Sequence, residues 1–324
     1  MNKKRLGNSE LMVSEMGLGC MSYGGKIDEP DAMKLIDAYI EQGGNLLDTA
    51  NIYGRSMKNT QAGDGERMLG HWLKASGKRD KVVLASKVGF AHPGIEYGTT
   101  RKQILEECDK TLQKLGVDYL DLYYLHTDDR DTPMEESLGA MQELIEAGKV
   151  RYIGASNFSA WRLERARAIC EKNNWQNFCC IQQRYSYLRP KQDSVFQGQK
   201  YVDIEMKEYV EDTGITLLSY CPLIKGAYVN DKGFPGQYVS QDSKNRLAVL
   251  EEVSKESGIS KTQLVYYWLM HSKPGAIPLI SPSNEEQLAD ALGTLKVNAE
   301  PYMQRLTEAA EGYMGPEFRT TMKQ

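Results

Sequence analysis

Two titratable side chains follow one short apolar run of this sequence, and they are the first residues that indicate chemistry. The run 45–48 is typical of a buried strand; it ends on the carboxylate of Asp48, and Tyr53 follows five residues later. A packed strand needs neither an acid nor a phenol at its end, so the pair suggests a site. The residues alone leave open the alternative that Asp48 caps the next helix and Tyr53 fills space.

Two further apolar runs end on titratable side chains. Residues 81–87 end on Lys87, and residues 120–126 end on His126. Each has an ordinary explanation, because a lysine at a strand end is often solvated and a single histidine is often structural. If the strands are parallel, however, all these side chains lie at the same end of the sheet and converge on one mouth.

Together the four groups are suited to protonating a carbonyl oxygen. A tyrosine near its reference pKa of about 10 is a weak acid, and an ammonium within roughly 4–6 Å lowers that pKa. Lys87 supplies such an ammonium, and Asp48 keeps it charged and oriented. His126 can bind and polarise the carbonyl. A proton donor without a nucleophile or metal needs an electron pair from elsewhere, most simply from a hydride carrier.

The elements that position these groups alternate from residue 11 onward as strand, loop and helix. Several strands are almost entirely apolar, which is typical of parallel strands buried on both faces. The predicted strands are 12–18, 45–48, 81–87, 120–126, 152–156, 180–182, 216–219 and 276–279. The predicted helices are 30–42, 65–75, 99–115, 133–147, 159–172, 200–213 and 285–292.

Eight strands with intervening helices and no break in composition predict one domain, residues 1–324. Because the connections between parallel strands are right-handed, this order of elements is compatible with two architectures, a closed (β/α)8 TIM barrel and an open doubly wound sheet. No G-x-G-x-x-G follows the first strand, so the barrel is favoured. Residues 5–11 predict a short N-terminal β-hairpin that turns at Gly7-Asn8. The Gly- and Pro-rich loop 221–243 is long enough to be functional, and residues 299–324 predict one helix with a polar tail.

Composition excludes several classes of protein. Of the 324 residues, 41% are hydrophobic and 26% charged, and the net charge is −4. This balance argues against binding to nucleic acid or to a membrane surface, and no run approaches the roughly 20 apolar residues of a membrane span. The N-terminus lacks the apolar segment of a signal peptide. Six cysteines without framework spacing predict reduced thiols in a cytoplasmic protein without a metal site.

The sequence resembles the aldo-keto reductases over nearly its whole length. Four segments in order carry the resemblance: LDTANIYG at 47–54, ASKVG at 85–89, DYLDLYYLH at 118–126 and GKVRYIGASNF at 148–158. The resemblance implies a (β/α)8 barrel that binds an extended nicotinamide cofactor, NADP(H) or NAD(H). It also implies that Tyr53 is the general acid, Lys87 the partner that lowers its pKa, Asp48 the anchor of Lys87, and His126 the group that orients the carbonyl.

The resemblance further implies two sets of binding residues. Ser156, Asn157 and Gln182 match the residues that hold the nicotinamide carboxamide, Tyr220 matches the aromatic on which its ring stacks, and 223–226 follow the pyrophosphate. The full cofactor set is Met21, Asp48, Ser156, Asn157, Gln182, Tyr220, Leu223, Gly226, Ser281, Ser283 and Gln287. The substrate set is Tyr23, Tyr53, Phe90 and His126, and ordinary loop packing is an equal alternative for Tyr23 and Phe90.

The sequence departs from the family near the eighth strand. NADPH-preferring relatives usually carry Lys or Arg there to clamp the 2′-phosphate, whereas this chain has Ser281, Ser283 and Gln287 beside two glutamates. A missing charge-assisted contact costs roughly 1.5–3 kcal/mol, so we expect a weakened NADPH preference. A second departure, the polar segment 127–130 after His126, is a candidate for contacts with a hydroxylated substrate.

These patterns favour an oxidoreductase that acts on an aldehyde, ketone or sugar-like carbonyl, or on the corresponding alcohol. One alternative is a regulatory subunit of the same fold that keeps the cofactor but has slow chemistry. Another is a lyase that uses Lys87 as a Schiff base, which would need an unpaired lysine. The nearby Asp48 argues against that role.

Overall fold

Eight parallel strands of the chain close into a barrel, as the sequence predicts. The computed structural model describes residues 1–54, 61–230 and 233–309. An antiparallel hairpin of β1 (Lys3–Arg5) and β2 (Met12–Ser14) precedes the barrel. The barrel strands are β3 (Gly17–Gly19), β4 (Leu46–Asp48), β5 (Val83–Val88), β6 (Leu120–Leu125), β7 (Val150–Ser156), β8 (Cys180–Arg184), β9 (Thr216–Tyr220) and β10 (Ala276–Ile280). They pair in chain order, and β10 closes onto β3.

Helices lie between the strands and beyond the last of them. In the described part of the chain they are α1 (Glu29–Glu41), α2 (Asp64–Ser76), α3 (Arg101–Leu115), α4 (Met134–Glu146), α5 (Ala160–Asn173), α6 (Ile204–Thr213), α7 (Gln241–Ser257), α8 (Lys261–His271), α9 (Glu285–Gly293) and α10 (Met303–Glu308). Several begin at side-chain caps. In α3 the Thr100 hydroxyl accepts from the amide of Gln103, and the amide of Thr100 donates to Gln103 Oε1, which forms a capping box.

Strand alternation decides which side chains face the barrel interior. Leu46, Val83 and Ala85 belong to an inner apolar cluster, whereas Leu47 and Leu84 pack in the layer between strands and helices. Because side chains alternate along a strand, Asp48 and Lys87 continue the inward series. Both groups therefore lie at the carboxyl end of the barrel interior.

The N-terminal hairpin covers the opposite end of the barrel. Leu6, Leu11 and Val13 are buried in the inner cluster, and the amide of Gly7 donates to Thr216 Oγ1 at the start of β9 (2.6 Å). Gly7 has φ +55°, and a Cβ there would lie 2.1 Å from the carbonyl oxygen of Cys179. Only glycine fits this contact.

Some predicted elements were wrong in extent. Residues 12–18 are not one strand, because Ser14 Oγ donates to the carbonyl of Met16 and the chain bends between β2 and β3. Residues 200–213 form a helix only from Ile204, since Asp203 is the N-cap. The loop predicted for 221–243 ends at Ser240, the N-cap of α7. In the C-terminal segment 299–324, α10 is described, and residues 310–324 lie outside the described residues.

Two helices between β9 and β10 were not predicted. In α8 every side chain from Leu264 to Met270 is buried, so the segment lacks the polar face that identifies a surface helix. In α7 the buried face consists of Ser243, Arg246, Leu250 and Val253, so two of its four positions are polar and the apolar period of a helix is hidden.

Candidate active site

Asp48, Lys87 and Tyr53 form a hydrogen-bonded cluster at the carboxyl ends of β4 and β5. The ammonium of Lys87 is fully buried; its Nζ lies 2.5 Å from Asp48 Oδ1, 2.7 Å from the carbonyl of Thr49 and 3.2 Å from Tyr53 Oη. These three acceptors use the three ammonium protons. We call these residues the Asp48–Lys87–Tyr53 cluster.

Lys87 is held in its charged form. Burial by itself lowers the pKa of an ammonium, but the combined effect of the Asp48 carboxylate and of Tyr53 outweighs it, and the pKa of Lys87 lies above its ordinary value. A charged lysine is a hydrogen-bond donor and has no lone pair for attack on a carbonyl carbon.

The pKa of Tyr53 is shifted in the direction opposite to the one that the sequence predicts. Lys87 lowers the pKa of this phenol as expected, but burial raises it by more and Asp48 adds to the rise, so the pKa of Tyr53 lies above 10. Tyr53 is therefore neutral near pH 7, and its hydroxyl carries a proton. The proton that a general acid needs is in place.

His126 and Phe90 form an aromatic wall beside Tyr53. The ring of His126 lies edge-on to that of Tyr53, with centroids 6.0 Å apart, and to that of Phe90, with centroids 4.7 Å apart. The His126 amide donates to the carbonyl of Val88 (2.7 Å), so the end of β5 fixes the histidine backbone. Three of the four predicted substrate residues thus meet at the barrel mouth.

The fourth predicted substrate residue, Tyr23, has its backbone near Tyr53: a Cβ at Gly65 would lie 3.3 Å from Tyr53 Cβ and 3.4 Å from the carbonyl oxygen of Tyr23. Its side chain is 1% exposed and packs in the apolar layer between strands and helices. Ordinary packing accounts for a ring at that depth, and a contact of Tyr23 with the substrate stays a prediction. Met21, by contrast, is 50% exposed in the loop after β3.

Ser156 and Asn157 lie at the end of β7, and Gln182 on β8 is paired with Ser156. Gln182 Nε2 donates to Asp48 Oδ2 (2.8 Å), which couples this group to the Asp48–Lys87–Tyr53 cluster. Asn157 adopts φ +63° and donates to the carbonyl of His126 (2.8 Å) and to Ser156 Oγ (3.0 Å). Both amide protons of Asn157 are therefore engaged, and a bond to a ligand would have to replace one of them.

Asn157 also positions the ring of Tyr220. The Tyr220 hydroxyl donates to Asn157 Oδ1 (2.7 Å), which accepts from the amide of Lys200 as well (3.0 Å). Asn157 thus links the ends of β6, β7 and β9 in one network. A left-handed turn follows Tyr220, with φ of +49° at Ile224, +59° at Lys225 and +80° at Gly226.

The segment after β10 supplies amide and hydroxyl groups. Gln287 Oε1 accepts from the amide of Ser283 (2.8 Å), the amide of Gln287 donates to Asn284 Oδ1 (2.9 Å), and Ser281 Oγ donates to the carbonyl of Gly19 (3.1 Å). The side chain of Gln287 is therefore already part of the start of α9. No lysine or arginine stands at the three predicted phosphate-binding positions.

Sequence reasoning missed a buried network behind the Tyr53 loop. The carboxylate of Glu107 on α3 accepts from Asn51 Nδ2 (2.8 Å) and Lys110 Nζ (2.8 Å), and it lies 3.0 Å from His92 Nε2. Burial alone raises the pKa of Glu107, but these partners together bring it below its ordinary value. The network ties the loop that carries Tyr53 to the loop that carries Phe90. Glu107 follows Ile104 by three residues on the buried helix face, which is the signal that could have found it.

A second buried carboxylate supports β5 from the outside. Glu66 on α2 accepts from Ser86 Oγ (2.7 Å) and Thr111 Oγ1 (2.8 Å) and pairs with Lys114 (3.1 Å). Ser86 precedes Lys87 and points outward, so this contact anchors the strand whose next side chain points inward.

The polar segment 127–130 is used by the fold. Asp128 lies between two guanidiniums, 2.7 Å from Arg162 Nε and 2.6 Å from Arg130 Nε. Asp129 accepts from the amides of Thr99 and Asp131 (both 2.9 Å). Because these carboxylates bind internal partners, few of their hydrogen-bond acceptor sites remain for a hydroxylated substrate.

The described residues contain no group of three or more His, Cys, Asp or Glu side chains that could hold a metal ion. None of their helices is long and apolar enough to cross a membrane.

Comparison with known proteins identifies the family. Residues 15–311 match the model of the aldo/keto reductase family, so the chain belongs to it. An uncharacterized oxidoreductase, YrpG, of Bacillus subtilis is 29% identical, with 93% of each chain covered. Versiconal hemiacetal acetate reductase of Aspergillus parasiticus is 27% identical, covering 93% of this chain and 94% of its own. Aldo-keto reductase AFTS1 of Alternaria alternata is 28% identical, covering 95% and 91%.

Family membership fixes the general class of the protein. The chain is an oxidoreductase of the aldo/keto reductase family, whose members use nicotinamide cofactors and act on small carbonyl compounds.

Proposed function

We propose that this chain, as a single (β/α)8 domain, reduces the carbonyl group of an aldehyde, ketone or sugar-like substrate with Tyr53 as the general acid. The observation that carries the proposal is the neutral Tyr53 hydroxyl 3.2 Å from the buried, charged Nζ of Lys87. A proton donor next to a fixed positive charge suits a reaction in which negative charge develops on oxygen. Oxidation of the corresponding alcohol uses the same residues in reverse.

Each residue of the cluster has a separate task in this proposal. Tyr53 donates its proton to the carbonyl oxygen, and Lys87 stabilises the phenolate that remains. Asp48 keeps the ammonium charged. The hydrogen bond from Gln182 Nε2 to Asp48 holds this carboxylate, and with it the ammonium, at the barrel mouth. His126, edge-on to Tyr53, orients the substrate oxygen, and Phe90 forms the apolar wall beside it.

The residues at the barrel mouth fit a nicotinamide cofactor. Tyr220 presents an aromatic face held by Asn157, and the left-handed turn 224–226 carries Lys225 where a pyrophosphate would need backbone amides and positive charge. Ser156 and Gln182 would hold the carboxamide, while Met21 and Leu223 flank the site. The bound cofactor supplies a hydride to the carbonyl carbon.

We further propose that NADH serves as well as NADPH, or better. Ser281, Ser283 and Gln287 offer hydroxyl and amide groups where a 2′-phosphate would need cations, and the side chain of Gln287 already bonds to Ser283. Losing a charge-assisted contact of about 1.5 kcal/mol corresponds to roughly tenfold in affinity.

Two alternatives fit the contacts less well. A Schiff-base lyase needs a neutral lysine, whereas the Asp48 partner keeps Lys87 charged. A regulatory subunit with slow chemistry would not need the complete set of donor, charge and aromatic wall that meets here. Two of the relatives reported above have names that include reductase, which also favours carbonyl reduction.

The test is a panel of aldehydes, ketones and sugars with NADH and with NADPH, followed by the absorbance of the reduced nicotinamide. We expect turnover with at least one substrate class and kcat/KM for NADH at least equal to that for NADPH. The absence of turnover over the whole panel, together with tight cofactor binding, would favour the regulatory alternative. A large preference for NADPH would contradict the cofactor proposal alone.

A further inference from the structure

One cation near the barrel mouth has no part in the chemistry proposed above. Arg184 ends β8, two residues after Gln182, and its side chain is half-buried. Its backbone is fixed by hydrogen bonds from its amide to the carbonyl of Lys200 (3.1 Å) and from the amide of Val202 to its carbonyl (2.9 Å). The side chain therefore leaves the barrel rim from a defined point.

The guanidinium of Arg184 lies between two aromatic rings. Its Cζ is 4.6 Å from the centroid of Phe196 and 5.5 Å from that of Tyr220. One of its terminal nitrogens donates to Gln199 Oε1, and its Nε is buried without a hydrogen-bond partner. Aromatic faces attract a cation and hold it in place.

Among the described residues no carboxylate pairs with Arg184. Burial alone would lower the pKa of Arg184. Cys221, Tyr220 and Tyr238 together outweigh burial, so the pKa of Arg184 lies above its ordinary value. The positive charge behind Tyr220 is thus permanent and is not neutralised by a neighbouring acid. Other buried cations of the barrel end, such as Lys87 and Arg162, each have an aspartate.

We propose that Arg184 makes the site bind the reduced nicotinamide more tightly than the oxidised one. The inference depends on the proposed function, in which the nicotinamide stacks on Tyr220, and it places the nicotinamide on the face of Tyr220 opposite to Arg184. The oxidised nicotinamide ring carries a positive charge, and the reduced ring carries none. A guanidinium on one face of Tyr220 repels a cationic ring on the other face and leaves a neutral ring unaffected.

The size of the effect follows from distance and screening. A ring stacked on Tyr220 would lie roughly 9–10 Å from the guanidinium, and at a partly buried site this repulsion changes the ratio of dissociation constants about three- to tenfold. Its direction favours carbonyl reduction, since the reduced cofactor is retained and the oxidised cofactor is released more easily. Arg184 is accordingly a positioning and discriminating residue rather than a catalytic one.

The experiment measures binding and needs no substrate. Quenching of protein fluorescence gives Kd for the oxidised and the reduced form of the better cofactor, with the unmodified chain, Arg184→Met and Arg184→Lys. We expect Arg184→Met to lower the ratio of the oxidised to the reduced Kd about three- to tenfold. We expect Arg184→Lys, which keeps the charge but not the planar stack, to keep the ratio within about twofold.

Two results would overturn the inference. One is an unchanged ratio in Arg184→Met, and the other is an equal change in Arg184→Lys, which would show that packing rather than charge is responsible. Arg184→Gln serves as a second neutral variant if Arg184→Met does not fold, and thermal unfolding checks each variant.

A Tyr220→Leu control separates this inference from the proposed function. If Tyr220→Leu weakens binding of both cofactor forms while Arg184→Met leaves the ratio unchanged, only the role of Arg184 is wrong. If Tyr220→Leu alters neither Kd, the placement of the nicotinamide is wrong, and the role of Arg184 falls with it.

Discussion

Two buried ion pairs stand at neighbouring strand ends of this barrel, and they differ in what surrounds the charges. In the Asp48–Lys87–Tyr53 cluster, one ammonium is shared between a carboxylate, a backbone carbonyl and a neutral hydroxyl. In the second group, which we call the Asp128–Arg162 cluster, one carboxylate is shared between two guanidiniums, and Trp161 lies against both. Both pairs are buried and well bonded.

The difference teaches that a buried ion pair alone does not identify chemistry. Arginine stays protonated at every pH of interest, so the Asp128–Arg162 cluster contains no group that can give up a proton near neutrality. The Asp48–Lys87–Tyr53 cluster adds a titratable hydroxyl beside the charge. We therefore expect one cluster to act on the reaction and the other to act on stability, and the following predictions test that division.

Lys87→Met should have the largest effect. It removes the charge that stabilises the Tyr53 phenolate, so kcat/KM should fall by about 10³-fold, and it leaves Asp48 buried without its partner, which costs about 3 kcal/mol in the free energy of unfolding. Steady-state kinetics and urea unfolding measure the two quantities. Arg162→Met is the matched control, with a similar loss of stability and nearly unchanged kcat/KM. Equal losses of activity in both variants would remove the distinction between the clusters.

Asp128→Asn should affect stability without affecting chemistry. Arg162 and Arg130 would then lack their shared carboxylate, and the free energy of unfolding should fall by about 2–3 kcal/mol. The value of kcat/KM should stay within about threefold of the unmodified chain. A fall in kcat/KM to the level of Lys87→Met, with little change in stability, would assign this carboxylate to the reaction instead.

The pH dependence of reduction should reflect the raised pKa of Tyr53. Reduction needs the protonated phenol, which persists below that pKa, so we expect no tyrosine limb in kcat/KM below pH ~10. Lys87 lowers the pKa of Tyr53, so Lys87→Met should move any alkaline limb to higher pH. A limb near pH 7–8 that disappears in Tyr53→Phe would show that the charge of Lys87 outweighs burial in the working enzyme.

A cation added at the rim should have a smaller effect than one removed from the interior. Ser283→Arg places a guanidinium where the 2′-phosphate is proposed to lie, and the ratio of kcat/KM for NADPH to that for NADH should rise about tenfold. Ser283→Gln is the neutral control and should leave the ratio unchanged. A ratio that does not move in the arginine variant would place the phosphate elsewhere.

The sequence was sufficient for the barrel and for the meeting of its polar strand ends. Parallel strands share one carboxyl end, and alternation along each strand turns Asp48 and Lys87 inward, so two short-range rules predict a long-range contact. The register of β4 with β5 then brings Asp48 opposite Ala85, two residues before Lys87.

Features that depend on tertiary packing could not be predicted in the same way. The bend that separates β2 from β3 is set by hydrogen bonds of Ser14 to Met16, Tyr39 and Asn45. Tyr39 and Asn45 are distant from Ser14 in the sequence, and the pattern of apolar residues does not indicate the bond to Met16. The net shift of the pKa of Tyr53 depends on how deeply the ring is buried. Burial of Tyr23 likewise follows from packing between strands and helices, not from its place in a loop after β3.

The central claim is that Tyr53 supplies the proton, and Tyr53→Phe tests it most directly. Pre-steady-state reduction of the best substrate should slow at least 100-fold in this variant, because the general acid is missing. The dissociation constant of the reduced cofactor and the thermal unfolding temperature should change little. A reduction rate within about threefold of the unmodified chain, at equal cofactor affinity, would contradict the assignment of Tyr53 as general acid.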